Sequence, residues 1–346
     1  SSRSGGRAGP RPVETIHPLK FSTESTRPEC DMELAGMELL RGFDSLDPFR
    51  GGFLSIGNFD GVHRGHQQMF ACLVRHAREQ NVASCVFTFE PHPIQLLRPE
   101  QVPPALTSLE QKAELIEACG VDCMVVYPTD LRLLNLSPED FFQAVVLGEF
   151  DAIGMVEGPN FFFGRNRSGT VEHLAAFCKA AGIELEAVPP VYVGTQMVSS
   201  SVIRGLLIDG EVEEASDLLG HRYRIAGQVT RGAERGRTIG FPTANLGQVV
   251  TVLPLDGVYA GVAIHNGRSW PAAINLGPNP TFGERRRKLE VHLIGFEGDL
   301  YDQPIQVEFV SRLRDTLEFS DVAALKAQLE QDVQQALAVV TGNSNR

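Results

Sequence analysis

Several things are missing from this chain of 346 residues, and each absence excludes a class of protein. No apolar run approaches the roughly 18 residues a membrane-spanning helix needs. Six cysteines occur, Cys30, Cys72, Cys85, Cys119, Cys123 and Cys178, but no Cys-x-x-Cys pair and no Cys/His cluster with zinc-site spacing. They read as reduced structural thiols of a cytoplasmic protein. Positive charge is not in excess either: the net charge is −12 and the pI about 5.3. That excludes a general nucleic-acid binder, which carries a basic face. An acidic protein that binds a polyphosphate must therefore gather positive groups locally or use a divalent cation. Composition is otherwise ordinary for a globular chain, with 42% hydrophobic and 21% charged residues. The length suggests about two domains.

Residues 1–36 differ from the rest. They are rich in Ser, Arg, Gly, Pro and Thr, and Arg3, Arg7 and Arg11 all precede the first acid, Glu14. Pro10 and Pro12 break any amphipathic transit helix. The segment reads as a disordered extension or appended sequence, with the folded protein starting near Met37.

The chain is organised around Gly57-Asn58-Phe59-Asp60-Gly61-Val62-His63-Arg64-Gly65-His66. An apolar run, Phe53 to Ile56, precedes it and reads as a buried parallel strand. From Gln67 to Glu79, Met69, Phe70, Leu73, Val74 and Ala77 recur at helical spacing. Two histidines thus sit at a strand-to-helix turn, where open α/β sheets bind ligands. The helix N-terminus favours phosphate, and Gly65 lets a phosphate chain approach the backbone. Paired imidazoles there can stabilise charge developing on a polyphosphate.

Strand and helix alternate as far as about Leu219. Strands are expected at 83–89, 121–127, 152–157 and 184–188. Helices are opened by a Thr107-x-x-Glu110 capping box, by Ser137-Pro138 and near Thr170. This order predicts a doubly wound parallel sheet with helices on both faces. Glu90-Pro91-His92-Pro93 forms a stiff turn in which His92 either faces the site or only shapes the turn. Ser199, Ser200, Ser201 and Arg204 gather at another helix start, which is either a simple cap or a phosphate site.

Around His221 the helical periodicity stops. Short strands are expected at 223–230, 249–253, 257–266, 269–275, 288–296 and 305–313, the pattern of a compact β-barrel. A last helix is capped by Ser320 and buries Val322, Leu325, Leu329, Val333 and Leu337. In Gly236-Arg237-Thr238-Ile239-Gly240-Phe241-Pro242-Thr243-Ala244-Asn245, Thr243 and Asn245 point to one side of an extended segment. Both offer oxygen donors suited to Mg²⁺ on phosphates. The P-loop ending Gly-Lys-Ser/Thr is missing, and on the residues alone a turn competes with a metal site. In Leu289-Glu290-Val291-His292-Leu293, Glu290 and His292 share the face opposite the apolar residues. Arg285 to Lys288 reads as a solvated loop.

The His-x-Gly-His spacing resembles the nucleotidylyltransferase superfamily. The full string from Gly57 to His66 is similar to that of the bacterial bifunctional riboflavin kinase/FMN adenylyltransferases. Val198-Ser-Ser-Ser-Val-Ile-Arg204 resembles that family's Ile-Ser-Ser-Thr-x-Ile-Arg motif. The strings 236–245, Asn275 to Phe282, 289–293 and Arg314 to Phe319 resemble its kinase half. His221 stands where the family more often has Arg, a departure expected to lie apart from the chemistry.

The resemblance implies a nucleotidylyltransferase domain at 37–220 and a riboflavin kinase barrel at 221–346. His63, His66 and Glu290 would be catalytic, Glu290 as the base for the riboflavin 5′-hydroxyl. Gly57, Asn58, Phe59, Asp60, Gly65, Ser199, Ser200, Ser201, Arg204, Gly236, Arg237 and Gly240 would bind ATP or its phosphates. Asn160, Phe161, Arg165 and Arg314 would bind flavin nucleotide, with Arg165 or Arg167 meeting phosphate. Thr243 and Asn245 would hold Mg²⁺. Riboflavin, FMN and ATP are the implied partners, with no nucleic acid, no membrane and self-association left open. Other readings are a single-activity enzyme, a flavin or nucleotide sensor, or a cytidylyl or pantetheine-type transferase, which leaves the barrel unexplained.

Overall fold

The computed structural model describes residues 36–231, 239–279, 281 and 284–343. The extension before residue 36 lies outside them, as do Gly236, Arg237, Thr238, Pro280 and Phe282.

Six short strands form a parallel sheet: β1 (Glu38–Arg41), β2 (Phe53–Ile56), β3 (Ser84–Glu90), β4 (Cys123–Pro128), β5 (Gly154–Glu157) and β6 (Glu184–Ala187). Their order is β1-β4-β3-β2-β5-β6. The chain winds outward from β2 through β3 to β4, then returns to lay β5 on the other side of β2. The strand order therefore reverses between β2 and β5, where a doubly wound sheet opens its ligand crevice. Alternate strand residues enter two cores. Leu54, Ile56, Phe87 and Val125 pack into one, and Phe53, Val86, Met124 and Val126 into the other. Helices cover them: α1 (Arg64–Gln80), α2 (Pro93–Leu97), α3 (Leu109–Ala118), α4 (Leu131–Leu134), α5 (Pro138–Phe141) and α6 (Val171–Ala181). An eight-residue π-helical run, 142–149, continues α5.

The hairpin β7 (Tyr192–Val193) and β8 (Gln196–Met197) leads to α7 (Ser200–Asp209) and α8 (Val212–Leu219). Then comes a closed antiparallel barrel: β9 (Arg224–Thr230), β10 (Ala244–Gly247), β11 (Gly257–His265), β12 (Arg268–Asn279), β13 (Glu284–Leu293) and β14 (Pro304–Arg314). It closes in the order β10-β13-β12-β11-β14-β9. The terminal α9 (Val322–Asn343) packs on β11, β12 and β14.

Local details depart from the sequence expectations for traceable reasons. The α3 capping box uses Ser108 and Gln111, one residue later than expected, because the Thr107 hydroxyl is engaged by Asp60 and by the Gly61 N–H. Residues 249–253 form no strand of the barrel. They reach the first module instead, where the Val252 N–H donates to Ala105 O at 2.8 Å. The barrel's sixth strand is β10, which begins at the end of the 236–245 segment. Asp321, not Ser320, caps α9 by accepting the Ala324 N–H. The buried face of α9 carries Asp332, Ala336 and Val340, while Val322 and Leu337 are exposed. Burial of Asp332 by Arg314 rotates the helix away from the purely apolar register.

The two modules share one core. Leu106, Ile203, Leu207, Val212 and Leu219 belong to the same buried cluster as the barrel interior, including Ile225, Tyr259, Ile274, Val291 and Phe309. Polar ties cross the same junction. Arg64 Nε donates to Asp217 O at 2.6 Å, Gln67 Nε2 to Leu219 O at 2.8 Å, and Arg224 pairs with Glu114 at 2.5 Å.

Candidate active sites

The first site lies at the β2/β5 crevice. Ladder pairing between these strands runs only through Phe53–Gly154 and Leu54–Met155. Beyond it the Ile56 N–H donates to the carboxyl of Glu157 at 2.7 Å. Burial raises the Glu157 carboxyl well above the usual carboxylate range. The chain then turns through left-handed backbone at Phe59, Gly61 and Val62 before α1 begins. His63 is the N-cap of α1, and its Nδ1 accepts the His66 N–H at 3.4 Å. The neutral ring therefore carries its proton on Nε2, available as a donor.

The two histidine rings stack, with centroids 3.6 Å apart and planes 16° apart. A Cβ at Gly65 would sit 3.2 Å from the His63 ring, so glycine here lets that ring lie against the helix start. Burial pulls His63 down to about 4, and pulls His66 well below the ordinary histidine value, helped by the charges of His63 and Lys112. Both imidazoles are thus neutral hydrogen-bonding groups at neutral pH. The His66 Nδ1 and the Asn58 Oδ1 are buried and have no partner among the described residues.

The Asp60 carboxylate is engaged by protein donors. Its carboxylate accepts Leu106 N–H at 2.9 Å, Thr107 N–H at 3.2 Å and Arg204 Nη2 at 2.7 Å. A carboxylate saturated in this way fixes the loops that donate to it. Arg204 is correspondingly committed: Nη2 to Asp60 and Nε to Pro104 O at 2.9 Å. Its remaining N–H groups are left for an anion. Ser200 Oγ donates to Asp60 O at 2.9 Å, and Ser199 caps α7 by accepting the Val202 N–H. Ser201 is exposed at the same helix mouth. The serine motif and the histidine turn are therefore one constellation.

His92 caps α2 through Nδ1, and burial lowers its pKa. His221 reaches the histidine turn from the start of the barrel. Its Nε2 lies 3.0 Å from the Gly61 carbonyl, tying the start of the barrel to the histidine turn. In the loop after β5, Phe163 is buried and stacks on Phe161, whereas Phe162 is exposed with Arg167 over its face at 4.9 Å. Core packing thus claims Phe163 and leaves Asn160, Arg165 and Arg167 at the surface.

The second site lies on the outer face of the barrel. Glu290 on β13 stands opposite Asn245 on β10 and opposite Asn275 on β12. Glu290 accepts from Asn279 Nδ2 at 2.9 Å, and Asn279 accepts from Asn275 Nδ2 at 3.2 Å. The neighbouring Leu289 and Val291 face the barrel core. His292 shares the outer face and holds the 241–243 turn, with Nδ1 2.8 Å from Pro242 O. Gly240 adopts a positive φ of 94° where the described chain re-enters this turn. Among the described residues, neither the Thr243 hydroxyl nor the Asn245 side chain has a protein hydrogen-bond partner, and no cluster of three His, Cys, Asp or Glu side chains forms a metal cage. Uncommitted neutral oxygens next to one carboxylate fit a divalent cation whose other ligands are phosphate oxygens.

Arg314 is paired with the terminal helix. Its Nε and Nη2 donate to Asp332 at 2.9 and 2.6 Å, docking α9, and its Nη1 donates to Asp315 O. One residue of the crevice escaped the sequence reading, Glu157. A charged residue at the end of an otherwise apolar strand was the available signal.

A family model for FAD synthetase matches residues 48–202, and one for riboflavin kinase matches residues 219–340. The bifunctional riboflavin kinase/FMN adenylyltransferase of Pseudomonas fluorescens is 37% identical over 312 residues, covering 90% of this chain and 100% of that protein. The enzyme of the same description from Escherichia coli K12 is 36% identical, covering 86% and 96%. A crystal structure described as a macrolide-efflux protein from Streptococcus pneumoniae superposes with a TM-score of 0.77 at 28% identity, covering 86% of this chain and 98% of that one. No helix among the described residues is long and apolar enough to cross a membrane.

Proposed function

Because this chain belongs to the bifunctional riboflavin kinase/FMN adenylyltransferase family, we propose that its two sites divide the family's two reactions between the parallel sheet and the barrel. The protein is an ATP-dependent transferase of FMN and FAD biosynthesis. It phosphorylates riboflavin to FMN and transfers the adenylyl group of ATP to FMN, giving FAD and pyrophosphate.

In the sheet site, the FMN phosphate attacks the α-phosphorus of ATP, and pyrophosphate leaves. No protein nucleophile is required. Neutral His63 and His66, the α1 and α7 N-termini and Arg204 receive the charge that builds on the phosphates. Burial matters here, because donors in a water-poor crevice are already aimed and need no reorganisation. Asp60 acts at one remove by fixing Arg204 and the start of α3. Asn160, Phe161 and Arg165, on the loop after β5, would approach the flavin nucleotide.

In the barrel site, Glu290 takes the proton of the riboflavin 5′-hydroxyl as that oxygen attacks the γ-phosphorus of ATP, the bond to the β,γ-bridging oxygen breaks and ADP leaves. Asn279, itself held by Asn275, fixes the carboxylate. Thr243 and Asn245 would hold Mg²⁺, which when bound neutralises phosphate charge. Gly240, with Gly236 and Arg237 beyond the described residues, would flank the ATP phosphates.

The observation that carries this reading is the pairing of Glu290 with Asn245 across β10 and β13, far along the chain from a separate pair of stacked imidazoles. The test is incubation with riboflavin, ATP and Mg²⁺, followed by chromatography. FMN should appear first and FAD after it. Failure to form FMN refutes the barrel assignment. Failure to form FAD from supplied FMN refutes the sheet assignment.

A further inference from the structure

We propose that Lys112 is a further phosphate-binding residue of the adenylyl-transfer site, its ammonium meeting a phosphate of ATP or of the flavin nucleotide. The inference rests on the reading of the sheet crevice given above.

Helix α3 starts where Asp60 pins Leu106 and Thr107, and its capping box ends at Gln111. The next side chain, Lys112, turns into the protein and is only 7% exposed. No hydrogen bond or ion pair to its ammonium exists among the described residues. The carboxylates whose charge reaches it are Asp60 and Glu90, and neither lies within ion-pair distance. Asp60 is already matched by Arg204. An ammonium buried without a counterion costs several kcal/mol, so a lysine kept in this position is suited to an anion that arrives.

The surroundings agree. Lys112 stands on the helix whose start, Leu106 and Thr107, is held by the same Asp60 carboxylate that holds Arg204, and its charge reaches both His66 and His92. His66 Nδ1 and Asn58 Oδ1, beside that mouth, are also buried and unpartnered. Burial lowers the pKa of the lysine itself, while Asp60 and Glu90 oppose that shift. Two buried unpartnered atoms of the histidine turn and an unpaired lysine on the helix that Asp60 holds point to a polar ligand shared by all of them. The competing role is a lysine whose stem merely covers apolar surface, and that role would tolerate methionine.

The experiment uses the full chain with Lys112→Met and Lys112→Arg. FAD formation is measured with ATP and FMN varied separately, riboflavin phosphorylation is measured on the same samples, and the ligand-free melting temperature is recorded. Lys112→Met should lower kcat/KM for adenylyl transfer by about 10²-fold, the usual loss for one such donor. Riboflavin phosphorylation should stay unchanged, and the melting temperature should hold or rise. Lys112→Arg should recover most of the loss. A raised KM for ATP assigns the ammonium to the triphosphate, and a raised KM for FMN assigns it to the flavin phosphate. A fall in kcat alone assigns it to the transition state. Adenylyl transfer at the wild-type rate in Lys112→Met overturns the proposal, as does a loss that tracks a lower melting temperature and a weaker kinase. Absence of FAD formation by the wild-type protein would instead overturn the underlying reading of the crevice.

Discussion

At the mouth of the parallel sheet, the polar groups are mostly buried, combine neutral imidazoles with the Arg204–Asp60 pair, and are carried by turns and helix starts. On the barrel they are half-buried, include an uncompensated carboxylate and stand on strands. The sheet site collects His63, His66, Arg204 and the α7 mouth from loops far apart in the chain, and Asp60 holds those loops together through at least three protein donors. The barrel site needs no such hub, because neighbouring strands deliver Asn245, Glu290 and Asn275 in register. The lesson concerns proton chemistry. A reaction whose nucleophile is already a phosphate anion needs donors and no base, and desolvation keeps the imidazoles neutral. A reaction whose nucleophile is an alcohol needs a base, and the carboxylate proposed for it, Glu290, sits where solvent still reaches it.

The sharpest way to break this contrast is Glu290→Gln. Riboflavin phosphorylation should fall by about 10²–10⁴, the range for loss of a general base, while FMN adenylylation is untouched. Equal kinase rates in variant and wild type would remove the base from the barrel. His66→Ala is the mirror experiment. FAD formation should slow by about 10²–10³ with normal riboflavin phosphorylation, read by chromatography of both products.

Removing the partner of Arg314 tests a structural claim about the barrel. Asp332→Ala leaves the guanidinium facing a vacated buried position and should cost about 3–5 kcal/mol in denaturant unfolding, the range for breaking a buried pair. If Arg314 touches flavin as well, Arg314→Ala will raise the KM for riboflavin beyond the effect of Asp332→Ala. Equal effects mean that the arginine only docks α9.

Acid provides the mildest test. His63 stays neutral in the folded protein down to about pH 4, whereas the unfolded chain takes up that proton near pH 6.5. Between those values the unfolded state binds more protons, so stability falls as pH falls. His63 alone accounts for about 3 kcal/mol across this window, and above pH 6.5 its contribution is constant. Unfolding curves measured from pH 7 to pH 4 should show this loss, reduced in His63→Gln. In an NMR titration of the ligand-free protein the His63 and His66 imidazoles should show no protonation near pH 6.5; a midpoint there would mean that the imidazoles are not desolvated.

Much of the architecture was readable along the chain. Apolar runs separated by helical periodicity named β2 to β6 and their helices, and short strands after His221 named a barrel. Where reading failed, a polar residue had been assigned to its nearest neighbours when its partner was remote. Thr107 looks like a helix cap and instead serves Asp60. Residues 249–253 look like a strand and instead cross to Ala105. An apolar stripe on α9 looks complete without Asp332, yet that carboxylate faces inward to Arg314.

By itself the sequence determined the strand-helix order, the two histidines at a helix start and the alternation that puts Glu290 opposite the barrel core. These follow from spacings of two to four residues, which backbone geometry converts directly into faces. Only the tertiary structure decided that Asp60 would hold Arg204 from 144 residues away, that Lys112 would be buried without a counterion, and that Arg314 would dock a helix. A charge's partner depends on which elements topology brings together, and on how much water that packing removes. Neither quantity is written in local spacing.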